Sequence, residues 1–161
     1  MRLISFVALL AVIIAAVFFM QHRKSTFISN QQVHSTSTAE QQIIYTPASA
    51  ETLVRNISVR PGSTVTSPLT ITGEARGQWY FEATFLINIT DGDGLIIGTG
   101  SAHAQSDWMT TEFVPFEATI DFTIPANAAA FGNRGTVILK KDNPSGLPER
   151  DATVEIPIRF N

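Results

Sequence analysis

The sequence predicts an all-β fold, a two-layer antiparallel sandwich of seven strands, carried behind an apolar N-terminal helix and a flexible tether. Three observations predict it. From Thr52 onward, apolar residues recur at every second position, the period of a strand with one face buried and one wet. The alternating runs are short, separated by Gly, Pro, Asn and Asp, and none has the 3.6-residue period of a helix. Ahead of them lie a nearly unbroken apolar stretch and then a polar one without period.

The apolar stretch, Leu3 to Met20 ("LISFVALLAVIIAAVFFM"), is interrupted only by Ser5. At ~1.5 Å per residue it makes a helix of roughly 27 Å, close to the ~30 Å apolar thickness of a bilayer. It ends "AAVFFMQHRK", bulky where a signal-cleavage site wants small residues. Residues 1–24 are therefore expected to be an uncleaved single-pass anchor, with a cleaved signal sequence as the alternative. Arg2 and the amino terminus nearly balance Arg23 and Lys24, so charge leaves the orientation of the span open. Residues 25–51, rich in Ser, Thr, Gln and Ala, read as a flexible tether of roughly 30 Å r.m.s. length. Its short apolar patch is Ile43-Ile44-Tyr45.

Residues 52–161 form the domain. "TLVRNISV" (52–59) turns Leu53, Ile57 and Val59 inward, and "LTITGEA" (69–75) turns Leu69 and Ile71 inward. In "WYFEATFLINIT" (79–90), Trp79, Phe81, Ala83, Phe85, Ile87 and Ile89 share the inner face, with Tyr80 and Glu82 outside. "LIIGTGSAHA" (95–104) follows, then "VPFEATIDFTI" (114–124), with alternate residues from Val114 to Ile124 inside. "TVILKK" (136–141) and "TVEIPIRF" (153–160) complete the set. Pro68, Pro115 and Pro157 are expected at strand beginnings or edges, where no ladder donor is needed. Strands at this spacing point to a seven-stranded antiparallel immunoglobulin-like β-sandwich. With no cysteine to tie the sheets, its aromatic core must suffice, at roughly 1.5–3 kcal/mol per fully buried large side chain.

Composition also excludes. Eight of the eleven Lys and Arg and all fourteen Asp and Glu follow Lys24, a net −6 with no basic cluster, so no nucleic-acid partner is expected. There is no thiol, and His22, His34 and His103 have no metal-ligand spacing. No nucleophile elbow, phosphate loop or paired-acid signature is present, so neither an enzyme nor a bound cofactor or metal is expected. "DGDG" (91–94) reads as a hairpin turn rather than a calcium loop.

Four stretches in order, "SPLTITGEARGQWYFEATF" (67–85), "SDWMTTEFVPFEA" (106–118), "KDNPSGLPE" (141–149) and "IPIRF" (156–160), resemble the immunoglobulin-like domain of bacterial spore germination, a Gmad-type domain. The resemblance covers about residues 55–160. It implies a bacterial, non-enzymatic sandwich domain on the extracytoplasmic side of the cell membrane.

In this topology loops alternate between two ends, so "EARGQ" (74–78), "QSDWMTTEF" (105–113) and "DNPSGLPERD" (142–151) share one end. In variable domains the corresponding end recognises ligands. Glu74, Arg76, Trp108, Met109, Glu112, Asn143, Ser145 and Glu149 are the candidate binding residues. Asn143-Pro144-Ser145-Gly146 equally fits a rigid turn, the charged residues equally fit cross-links between loops, and Trp108 equally fits a plug over the core. The expected role is adhesion or assembly on the cell surface, with an envelope component or envelope protein as partner. The alternative is a structural accessory subunit of an envelope complex. Because the first strand begins at the motif-bearing end, the tether is expected to join there.

Overall fold

The computed structural model describes residues 42–161; the expected anchor at residues 3–20 and the tether to residue 41 lie outside the described residues. Nine strands occur among them: β1 (Ile44–Thr46), β2 (Val54–Arg55), β3 (Thr64–Val65), β4 (Leu69–Arg76), β5 (Thr84–Asp91), β6 (Ile96–Ala104), β7 (Phe113–Ile120), β8 (Arg134–Lys140) and β9 (Thr153–Phe160). Short 3-10 turns at Ala48–Thr52, Gly77–Trp79, Ala128–Phe131 and Pro148–Arg150 connect them. Among the described residues no helix is long and apolar enough to cross a membrane.

The strands follow one hydrogen-bonded path, β1-β9-β8-β5-β6-β7-β4-β2, with β3 also paired to β9, and it folds into two layers, β2-β4-β7 and the remaining six strands. They meet at a corner where β6 and β7 pair only through His103–Glu117 and Ala104–Phe116. Strict alternation along β7 and β9 buries Val114, Phe116, Ala118 and Ile120 against Val154, Ile156, Ile158 and Phe160, as the period of two requires. On β6, Ile97 packs on the core beside a register shift, and the inner positions after it are all small: Gly98, Gly100, Ala102 and Ala104. A methyl group on Gly98 would lie 2.7 Å from Cβ of Phe122, and one on Gly100 2.7 Å from Cγ1 of Ile120. Missing side chains thus let the two layers close over one another beside the corner. Pro157 sits in the gap between β1 and β3 on the outer edge of β9, where its carbonyl accepts the Gly62 N–H at 2.8 Å. Pro115 lies just beyond the β6–β7 pairing, its carbonyl accepting from Gln105 N–H.

Several expectations are corrected. The seven antiparallel strands become nine, because β1 and β3 add to the outer edge of β9, and β3 runs parallel to it. The expected strand 52–59 shrinks to β2, since Asn56 takes a φ of 53° and interrupts the ladder; Ser58 N–H still donates to the Thr72 carbonyl of β4 at 2.9 Å before the chain crosses to form β3 beside β9. The expected strand 79–90 begins only at Thr84, because Glu82 and Ala83 have φ of 49° and 61° and break the pleat. Trp79 remains buried as expected, but in a 3-10 turn; Tyr80 is buried in place of Phe81, which is 41 % exposed.

Within the stretch read as tether, residues 44–46 pair onto the sheet and residues 48–51 belong to a 3-10 turn. Ile44, Tyr45 and Thr46 face Glu155, Val154 and Thr153, and Ala50 is wholly buried. β1 runs antiparallel to β9, towards the end from which β9 starts. Ile44, the first residue of β1, therefore stands at the end opposite loop 142–151, whereas the sequence put the start of the domain at the motif-bearing end.

Candidate functional site

The three loops do converge. Loop 105–113 lies against the end of β4: Gly77 N–H donates to the Glu112 carbonyl at 3.2 Å, and Arg76 Nη1 to the Thr111 carbonyl at 2.9 Å. Only glycine fits at position 77, since a Cβ there would lie 1.9 Å from the Thr110 carbonyl oxygen and 2.3 Å from that of Trp108. Loop 142–151 joins through Asp142 N–H, which donates to the Trp79 carbonyl at 3.0 Å.

On the solvent face of β2-β4-β7 the charged residues interlock. Arg55 forms an ion pair with Glu74, its cross-strand neighbour, and Asn56 Nδ2 donates to the same carboxylate at 3.1 Å. Arg76 stands 3.6 Å from the exposed carboxylate of Glu112. Both guanidinium groups also lie against the ring of Phe113, 3.8 Å and 4.1 Å from its centroid. Cation–π contacts at such partly exposed sites contribute about 0.5–1 kcal/mol each. Sequence reasoning missed Arg55, Gly77 and Phe113; only the register Arg76–Phe113 and Arg55–Glu74 brings them together.

Beneath this face the aromatic residues are locked. Trp79 and Tyr80 stack edge-on against Phe85, and Phe85 against Phe116, with centroids 5.0–6.3 Å apart. Tyr80 Oη donates to the Val114 carbonyl at 2.8 Å. Burial, with the charge of Glu74 nearby, pushes the Tyr80 hydroxyl well above the usual phenol range. The Trp79 indole N–H is buried without a hydrogen-bond partner.

Loop 142–151 is held by Asn143. Its Nδ2 donates to the Leu147 carbonyl at 2.8 Å and to Asp151 Oδ1 at 2.7 Å, while its Oδ1 accepts from the Ser145 hydroxyl. Gly146, at φ 65°, donates back to the Asn143 carbonyl and closes the turn. Lys141 Nζ donates to the Arg150 carbonyl at 3.2 Å across the loop base.

Of the sequence-predicted candidates, Glu74, Arg76, Asn143 and Ser145 are thus engaged with the protein itself. Trp108 is half-buried and packs on the core, as a plug does. Met109 at 77 % exposure, Glu112 and Glu149 face solvent. The same end exposes Leu147 in loop 142–151 and Phe81 in the turn before β5. Elsewhere, Asp91 Oδ1 accepts from the backbone of Asp93 and Leu95, so "DGDG" is the expected hairpin turn. His103 lies on the exposed face of β6 opposite Glu117, in a shallow polar cleft with Ser101 and Gln105.

An immunoglobulin-like sandwich, with one end braced by the loops after β4, β6 and β8, is the class that this geometry defines. The chain belongs to the family described as the immunoglobulin-like domain of bacterial spore germination, which it matches over residues 57–145. The match takes in β3 to β8 and ends inside loop 142–151, short of "IPIRF". No curated protein and no solved structure matches the chain.

Proposed function

We propose that the chain is a non-catalytic binding module of the bacterial cell surface, anchored in the membrane by residues 3–20, whose motif-bearing end contacts an envelope component or envelope protein. The observation that carries this reading is the division of labour at that end. Arg76 ties loop 105–113 to the end of β4, Asn143 stiffens loop 142–151 from within, and a backbone bond from Asp142 to Trp79 joins that loop to the others, while Met109, Leu147 and Phe81 stand exposed on the braced frame. Rigid loops presenting apolar tips lose little conformational entropy on binding. The course of β1 supports an outward orientation, because its first residue, Ile44, stands at the opposite end.

The test is co-sedimentation of residues 42–161 with purified cell envelope, beside a Met109→Ser/Leu147→Ser variant. Binding by the parent, lost or weakened at least tenfold in the variant, supports the reading. Equal binding by both moves the contact elsewhere, and no binding by the parent favours the structural accessory role.

A further inference from the structure

Loop 105–113 carries the one sulfur atom among the described residues. The chain has no cysteine, and of its three methionines only Met109 falls within residues 42–161. Its side chain is also the most exposed of the large apolar ones there, at 77 %.

The loop leaves that side chain no way inward. Met109 N–H donates to Asp107 Oδ1 at 2.9 Å, and Thr110 N–H to the Trp108 carbonyl at 2.8 Å, which fixes the backbone on both sides of the sulfur-bearing residue. The Thr110 hydroxyl in turn accepts from Glu112 N–H at 3.1 Å. On the inner side, the Trp108 and Thr110 carbonyls stand so close to Gly77 that even a Cβ there would collide with them. Trp108 packs on the core, and Met109 edges a shallow groove with Trp108, Gln78 and Tyr80. The oxidisable rings of this end are shielded: Trp79 is wholly buried, Tyr80 is buried and Trp108 is half-buried. An oxidant arriving from solvent therefore meets the Met109 thioether first.

We propose that Met109 is an oxidation site for hydroperoxides, and that its sulfoxide switches off the apolar contact of the motif-bearing end. The second half rests on the binding reading given above. A sulfur lone pair attacks one oxygen of hydrogen peroxide, an S–O bond forms as the O–O bond breaks, and hydroxide leaves. That hydroxide takes the proton of the transferred oxygen and becomes water. Sulfur is oxidised by two electrons and the peroxide reduced by two, and methionine sulfoxide reductases reverse the change. The product sets a polar oxygen where a soft apolar group stood. In the free domain that oxygen faces water and costs little. Under an apolar partner it loses its hydration, which disfavours the bound state alone.

The experiment treats the full chain, held in lipid nanodiscs, with hydrogen peroxide and maps the added oxygen by peptide mass spectrometry. Treated and untreated chains are then co-sedimented with purified cell envelope that has not met the oxidant. Met109 is expected to oxidise within about threefold of the rate of free methionine. The oxidised chain should bind about tenfold more weakly, with an unchanged denaturation midpoint, and the two sulfoxide reductases, one for each epimer, should restore binding. Met109→Leu, whatever its starting affinity, should lose none of it on the same treatment, which separates Met109 from Met1 and Met20. Met109→Gln should bind as the oxidised parent does. Slow oxidation of Met109, equal binding by reduced and fully oxidised chains, or a loss that comes with a lowered midpoint overturns the inference and leaves the binding reading standing. No binding by the untreated chain overturns the binding reading and the switch with it.

Discussion

Asn143 and Met109 lie in loops of the same end and do opposite things. Asn143 makes two donor bonds and accepts a third, so its side chain is the strut of loop 142–151. Asn143→Ala should lower stability by about 1–2 kcal/mol in denaturant unfolding and speed hydrogen exchange at Gly146 and Asp151. Met109→Ala, at an exposed tip, should stay within about 0.5 kcal/mol of the parent in the same assay. Tyr80 carries the pH-dependent counterpart. Its hydroxyl is neutral when protonated, and burial raises its folded pKa above the unfolded value of 10.0. That contribution to stability is therefore complete below pH ~10 and declines as pH rises past it, because the unfolded chain loses the proton first. Tyr80→Phe should lose about 1 kcal/mol at neutral pH with the bond to Val114, yet flatten the alkaline decline when midpoints are compared from pH 8 upward.

Among the elements, β6 makes the sharpest prediction. Glycine inside a strand normally costs roughly 0.5–1 kcal/mol relative to alanine, so replacing one usually stabilises. Here the sign should reverse. Alanine at Gly98 would meet Phe122 Cβ at 2.7 Å and the Asp121 carbonyl at 2.9 Å, and the backbone oxygen cannot swing away. Gly98→Ala should cost about 1–3 kcal/mol in equilibrium unfolding, whereas Thr99→Ala on the outer face should change little. A stabilised Gly98→Ala protein would mean that the layers do not close this tightly beside the corner. The same strands show where the sequence is legible. Strict alternation located β4, β7, β8 and β9 to within three residues at their starts, and it placed Val114 to Phe122 and Val154 to Phe160 in the core. It failed at Phe81, because parity holds only while the backbone stays extended, and two residues of positive φ at Glu82 and Ala83 reset it. The candidate end was legible as three loops, since loop order follows from strand order. Which residues brace and which stand exposed was not, because that depends on cross-strand register, as with Arg55, Arg76 and Phe113.

At the scale of the whole molecule, the decisive feature is that the chain enters along β9. β1 joins residues more than a hundred positions apart, buries Ala50 behind it, and packs Ile43 and Tyr45 on the core. Its three residues would be a weak strand alone, but the edge of β9 would otherwise be bare at Thr153–Glu155, and an unpaired edge is where other chains add. A fragment of residues 42–161 should therefore unfold cooperatively, and one of residues 53–161 should lose on the order of 2 kcal/mol through the apolar burial that β1 and the following turn provide. Tyr45 supplies a local readout, since burial and then Glu51 raise its pKa. In a Tyr80→Phe background it is the one tyrosine left in the chain, and its ultraviolet titration should run above pH 10 while β1 is docked. Equal stability of the two fragments, with Tyr45 titrating as a free phenol, would detach β1 from the fold. The tether would then be free to join the domain at the motif-bearing end, and the outward orientation of the exposed tips would lose its physical basis.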